Sequence, residues 1–173
     1  MKRSFEKIDI LIAENINKSF KNPILDKILS KTNKGETFIL VLIFYLLIFP
    51  VESPFLVITF TSTIAFFNDR FVLILKKFIS RRRPSLKVLG KENNHPDLNH
   101  SFPSAHAANS MVTAVILYFS FGFPEYFFIF SLYAGLGRLL TLHHFLSDVI
   151  GGWMIGFFIG GAGVILHHFL FLV

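Results

Sequence analysis

An all-α, polytopic membrane bundle of five transmembrane helices, preceded by N-terminal amphipathic helices at the bilayer interface, is the fold this sequence predicts. Three observations predict it. Hydrophobic residues make up 53% of the 173 residues, 23 of them phenylalanine, and mean hydropathy is +0.58; that composition belongs to bilayer proteins rather than soluble domains. The apolar residues fall into five blocks separated by turn-forming or polar stretches. Arg70 aside, every Lys and Arg lies in the N-terminal segment or near the connections after the second and fourth blocks.

From Phe5 to Phe20, large apolar residues recur at Phe5, Ile8, Ile12, Ile16 and Phe20, with Lys7, Glu14 and Lys18 on other faces. This is the stripe of a helix lying on a bilayer surface. Asn22-Pro23 interrupts it, and Ile24, Leu25, Ile28 and Leu29 carry a second amphipathic piece to a turn signal at 33–35. The uncharged stretch between Glu36 and Glu52 is the first span. It is short against the roughly 20 residues a perpendicular crossing needs. Ser53 as cap and Pro54 in the first turn open the second, which runs to about Ile79. Asn68, Asp69 and Arg70 interrupt that span; charges at such depth are expected to face the interior, with Asp69 and Arg70 as a structural pair. A long polar connection fills residues 80–101.

The third span runs from Pro103 to about Phe121, and Gly122 to Pro124 turns the chain. A fourth follows from Tyr126 to about Leu142, and the fifth starts at Ser147 or Asp148 and runs to the C-terminus. Along the fifth, Gly152, Gly156 and Gly160 recur every four residues, a ridge that lets another helix approach closely. One domain, 1–173, is expected, divided into an interfacial segment 1–35 and a bundle 36–173. With five spans, the connections after the second and the fourth lie on one side of the membrane, so their polar clusters can meet.

The chain has no cysteine, which excludes disulfides and thiolate metal sites. Its net charge of +6 points to an anionic partner: lipid headgroups or phosphate, not nucleic acid. No signal peptide is expected, because residues 1–34 are charged throughout and lack an apolar core. The oligomeric state is left open.

Three clusters carry chemistry. Arg138 to Asp148 reads RLLTLHHFLSD. On a helix, His144 and Asp148 would share a face, and the carboxylate could hold one imidazole nitrogen while the other stays free as nucleophile or base. The same stretch also reads as a satisfied helix-end histidine. Lys76 to Pro84 reads KKFISRRRP. A lysine point charge and an arginine fork suit phosphate oxygens, and equally a basic run suits anionic lipid. Ser101 to His106 reads SFPSAH and can present backbone N–H groups at a helix start to an anion, or be a capping loop with an incidental histidine.

In their order and spacing, Lys76-x6-Arg83-Pro84, Pro103-Ser104-Ala105-His106 and Gly137-Arg138-x5-His144-x3-Asp148 closely resemble the signature of the type 2 phosphatidic acid phosphatase superfamily, KxxxxxxRP, PSGH and SRxxxxxHxxxD. Two positions depart from it: Ala105 stands in place of glycine and Gly137 in place of serine. The resemblance implies that His144 attacks phosphorus and forms a phosphohistidine, with Asp148 orienting the ring and His106 as general acid. It implies that Lys76, Arg83 and Arg138, with backbone N–H groups around Ser104 and Ala105, bind the phosphate. Such a layout requires no metal and no cofactor. The substrate it implies is a lipid phosphate: phosphatidylglycerol phosphate, undecaprenyl pyrophosphate, phosphatidic acid or, favoured by the basic surface, lipid A 1-phosphate.

Rival readings are a lipid phosphotransferase acting on an acceptor hydroxyl, and a non-catalytic channel or scaffold. The resemblance places the protein in a bacterial inner membrane with its site on the periplasmic face, whereas the distribution of basic residues favours the cytoplasm. Of the remaining histidines, His143 is expected to point away, His95 and His100 to lie near a headgroup, and His167 and His168 to be interfacial.

Overall fold

The computed structural model describes residues 2–20, 22–32, 35–85, 95 and 97–171. Among the described residues there are seven helices and no strand: α1 Lys2–Ser19, α2 Pro23–Thr32, α3 Gly35–Ile48, α4 Pro54–Ile79, α5 Ala105–Phe121, α6 Phe127–Leu140 and α7 Leu146–Phe171. The expected turn at Asn33 and Lys34, and most of the polar connection, lie outside these residues.

α5 is the central helix, packed by α7, α4 and α6, while α1 rests on α7 and α2 on α6. Ala107, Ala108, Val112, Ala114, Val115, Ile116 and Leu117 are all at most 1% exposed, so α5 is enclosed on nearly every side. The α5–α7 seam is backbone against backbone. A Cβ added at Gly152 would stand 2.5 Å from the Ser104 carbonyl, and one at Gly160 would stand 2.9 Å from Val115 Cβ. One at Gly156 would collide with the Ala108 carbonyl. The expected glycine ridge is therefore a packing surface. Gly156→Ala is expected to destabilise the protein by about 2 kcal/mol, because the contact is backbone that cannot rotate aside. Thermal unfolding in detergent measures this, and an unchanged midpoint would mean that the seam is looser than described.

α4 and α7, of 26 residues each, are long and apolar enough to cross a membrane; α3, α5 and α6 are shorter apolar helices. At 1.5 Å per residue the two long helices reach about 39 Å, beyond the ~30 Å hydrocarbon core. Their outer faces carry Phe66, Phe67, Phe78, Phe157, Phe158 and Phe169, each more than half exposed, which is lipid-facing character.

Four local expectations take a more definite form. Ser53 stands at the start of α4 but its side chain makes no capping bond, so Pro54 alone marks that start. On α1, Ile8, Leu11 and Phe20 are over half exposed, and the inward face is Asp9, Ala13 and Ile16. That face packs on Leu139, Leu142, Phe145 and Val149, so α1 seats on the bundle through a buried carboxylate as well as apolar side chains. Asp69 and Arg70 do pair, at 2.6 Å, but only Asp69 faces inward, accepting from Asn109 at 3.1 Å. Arg70 lies outside over the Phe66 ring. His168 is exposed, but His167 is buried among the rings of Phe60, Phe121 and Phe171.

Candidate active site

The polar clusters meet at one end of the bundle. Past α4 the chain pairs with the segment entering α5: Arg83 N–H donates to Leu98 O at 2.9 Å, and Ser101 N–H to Arg81 O at 2.8 Å. Ser104 N–H donates to Asp148 O at 2.9 Å, joining the start of α5 to the start of α7. The geometric expectation that the two connections lie together is met.

His144 reaches the site by a different route from the one the spacing suggests. α6 ends at Leu140, and Leu142 has φ 55°, so the chain turns sharply before α7 begins at Leu146. Arg138 O accepts both the His143 and His144 N–H groups, at 3.1 and 3.2 Å, and pins that turn. His144 and Asp148 therefore do not share a helix. They meet because Asp148 reaches back over the first turn of α7: its Oδ2 accepts Phe145 N–H at 2.8 Å, satisfying a donor of the helix start.

The Asp148 carboxylate is completely buried. Oδ2 also accepts Ser101 Oγ–H at 2.6 Å and lies 3.6 Å from His144 Nδ1, too far for a direct hydrogen bond. Ser101 Oγ stands 3.4 Å from the same nitrogen and links the two groups. Arg83 Nη1 faces His144 Nε2 at 3.0 Å. Because a guanidinium only donates, Nε2 holds a lone pair and the ring proton sits on Nδ1, toward Asp148 and Ser101. Burial pushes the His144 pKa down to about 3, with Arg83 adding to the shift and Asp148 opposing it. The ring is thus neutral at pH 7, the state in which nitrogen can attack.

Arg83 is 6% exposed and Lys76 is 7% exposed. Arg83 donates to Asp97 O at 2.6 Å, His143 O at 2.5 Å and His100 O at 3.4 Å, and Lys76 Nζ donates to His100 O at 2.8 Å. Burial, helped by Arg138, lowers the Arg83 pKa to about 10 against the pull of Asp97 and Asp148, which leaves it cationic at neutral pH. Across the site, the Arg138 guanidinium bonds His106 Nε2. Each imidazole is thus faced by its own guanidinium.

One expected contributor is placed differently. The Ser104 N–H is held by Asp148 O, and its Oγ caps α5 by accepting Ala107 N–H at 3.5 Å, so Ser104 is a joint between helices rather than an open donor. Ala105 opens α5 and lines a cavity with His106. The cavity, about 520 Å³, runs between α3, α4, α5 and α6 along Phe38, Ile39, Leu42, Ala65 and Phe66, with Asp69 and Asn109 among its walls.

His143 is turned away: its Nδ1 pairs with Thr141 Oγ1 at 2.9 Å and its ring meets His95 edge-on. His100 Nδ1 pairs with Asp97 at 2.8 Å. Three groups escaped the sequence reading: Ser101, Arg81 and Asp9. Ser101 and Arg81 lie inside the quoted motifs without a residue-type signal of their own. Asp9 is signalled only as a single acid between isoleucines.

At one end of an all-helical bundle with apolar outer faces stand two imidazoles, each faced by a guanidinium, with a buried carboxylate behind one of them, a set of groups suited to phosphoryl transfer. The chain belongs to the PAP2 superfamily, whose model matches residues 53–171. Among solved structures it is similar to Aquifex aeolicus LpxE, with 25% identity and a TM-score of 0.68, covering 88% of this chain and 92% of that one. It is also similar to a transmembrane PAP2 type phosphatidylglycerolphosphate phosphatase from Bacillus subtilis, with 17% identity and a TM-score of 0.68, covering 96% of this chain and 88% of that one. A comparison with curated proteins finds no match.

Proposed function

We propose that the protein is a membrane lipid phosphatase that works through a phosphohistidine without a metal. The observation that carries this is the neutral, buried His144, backed by Asp148 and Ser101 and facing Arg83. In the first step Arg138 passes from His106 Nε2 to a phosphate oxygen and His106 is protonated there; His144 Nε2 bonds to phosphorus as the P–O bond to the lipid breaks, and the leaving alkoxide takes its proton from the His106 imidazolium. In the second, His106 takes a proton from water, the water oxygen bonds to phosphorus, and the P–N bond breaks, releasing phosphate and neutral His144. For attack, the Arg83 donor on Nε2 must transfer to a phosphate oxygen, where Arg83, Lys76 and Arg138 take up transition-state charge. The N–H groups at the start of α5, Ala105 included, add a helix-end contribution.

The lipid substrate is supported by the largely apolar cavity that reaches His106 from within the bundle. Helices α3 to α7 are the five spans of this reading, with α1 and α2 at the interface. The basic site suits a large anionic headgroup, and lipid A 1-phosphate is favoured over phosphatidylglycerol phosphate, undecaprenyl pyrophosphate and phosphatidic acid. The site faces the periplasm of a bacterial inner membrane, its cations being accounted for by phosphate binding rather than by the charge rule for cytoplasmic loops. Purified protein incubated with these four lipids and a chelator, with no acceptor alcohol, is expected to release inorganic phosphate. Phosphate release only when an acceptor or a metal is added would overturn the reading.

A further inference from the structure

Asp148 has two oxygens, and the mechanism uses one. Oδ2 serves Phe145, Ser101 and the His144 ring, while Oδ1 accepts Arg81 Nη1 at 2.6 Å. The same Nη1 reaches Ser147 Oγ at 2.6 Å, and Nη2 reaches Asp9 Oδ2 at 2.6 Å. Asp9 closes the ring: its Oδ1 accepts Ser147 N–H at 3.0 Å and its Oδ2 accepts Ser147 Oγ–H at 2.5 Å. The Asp9 side chain is 5% exposed and that of Arg81 is 23% exposed, with the guanidinium lying 4.6 Å over the Phe145 ring. Phe145 is the residue between His144 and α7 whose N–H Asp148 holds. Asp9 lies on α1, outside residues 53–171, the part of the chain that the family model matches.

We infer that Asp9 and Arg81 are positioning residues for phosphoryl transfer: α1 supplies the counter-charge that lets Arg81 hold the outer oxygen of Asp148 without drawing the carboxylate away from His144. The inference rests on the lipid phosphatase reading. When His144 Nε2 bonds to phosphorus its ring, still protonated at Nδ1, becomes cationic, and the negative charge of Asp148 stabilises it. Arg81 alone would oppose that by pairing fully with Asp148. With Asp9 on its other edge, the guanidinium is shared between two carboxylates, and the trio keeps a net negative charge facing the imidazole. A planar fork with separate nitrogens aimed at two acceptors is a geometry that arginine offers and lysine does not.

The test compares wild type, Asp9→Asn, Arg81→Lys and the double variant Asp9→Asn/Arg81→Gln, each purified in detergent and assayed on the lipid phosphate the wild type turns over fastest. Asp9→Asn and Arg81→Lys are each expected to lower kcat about 10-fold or more with KM within about 2-fold, since neither residue touches substrate. The double variant, which removes both charges, is expected to be no slower than Asp9→Asn, because the unbalanced cation has gone with its partner. Thermal unfolding identifies any variant that fails to fold. Asp9→Asn and Arg81→Lys probe the same ring from opposite ends, so either one folded suffices for the kcat comparison. An unchanged kcat in a folded single variant, a loss confined to KM, or a folded double variant slower than Asp9→Asn would each overturn the inference. A wild type that releases no phosphate from any lipid overturns the phosphatase reading itself, which is a separate outcome.

Discussion

His144→Ala is expected to lower lipid phosphate turnover by about 10,000-fold or more while leaving the bundle folded. The size of the effect follows from the role: an alanine offers no nitrogen to phosphorus, and the residual rate is what bound cations alone achieve with water. Folding is expected to survive because the anchors of the turn are main-chain, the His143 and His144 N–H groups on Arg138 O. The helix start is held by Asp148 on Phe145 N–H, which the substitution does not touch. A phosphorylated intermediate labile to acid and stable to base should form in the wild type and be missing in His144→Ala. Substantial turnover by the alanine variant would remove the proposed nucleophile. Since the His144 pKa is held near 3, any fall in rate between pH 7 and pH 5 comes from other groups, and the intermediate should still form at pH 5.

Arg83→Ala is expected to lower kcat/KM by about 1,000-fold, and Arg83→Lys by about 100-fold, measured on the same lipid. Arg83 faces the nucleophile's lone pair directly and is held there by the carbonyls of Asp97 and His143. A lysine restores charge, but its single ammonium cannot meet both carbonyls and a phosphate oxygen in the fixed fork that arginine presents. Both variants also weaken the hold on part-buried carbonyls, so the unfolding midpoint should drop together with the rate. Wild-type activity in Arg83→Lys would show that the fork geometry is irrelevant and charge alone suffices.

Much of this was legible in the sequence because membrane helices announce themselves by composition and because the motif residues are chemically distinctive. The helix boundaries fell within a few residues of the expected ones. Gly152, Gly156 and Gly160 form the close-packed ridge their spacing suggested. What resisted reading was the detail set by tertiary contact. The four-residue spacing of His144 and Asp148 suggested a shared helix; the structure brings them together through a turn with Leu142 in the left-handed region, which no periodicity encodes. Ser104 looked like an open donor, but its N–H is occupied by a carbonyl from a helix over forty residues away in sequence. Asp9 sat on an apparently surface-lying helix, and its burial depends on Arg81, a partner 72 positions further along. Such long-range charge pairing leaves no local pattern, so nothing in the sequence around Asp9 singles it out.

The seam between α5 and α7, where glycines admit main chain to main chain, fixes how far apart the helix bearing His106 and the helix bearing Asp148 can stand. Distances set by atoms that have no rotamers do not stretch or relax to suit a guest. Any accommodation to lipids of different girth therefore falls to the apolar side chains that α3 contributes to the cavity, Phe38, Ile39 and Leu42. The scaffold acts as a rigid gauge, and the tolerance lies in the side chains mounted on it.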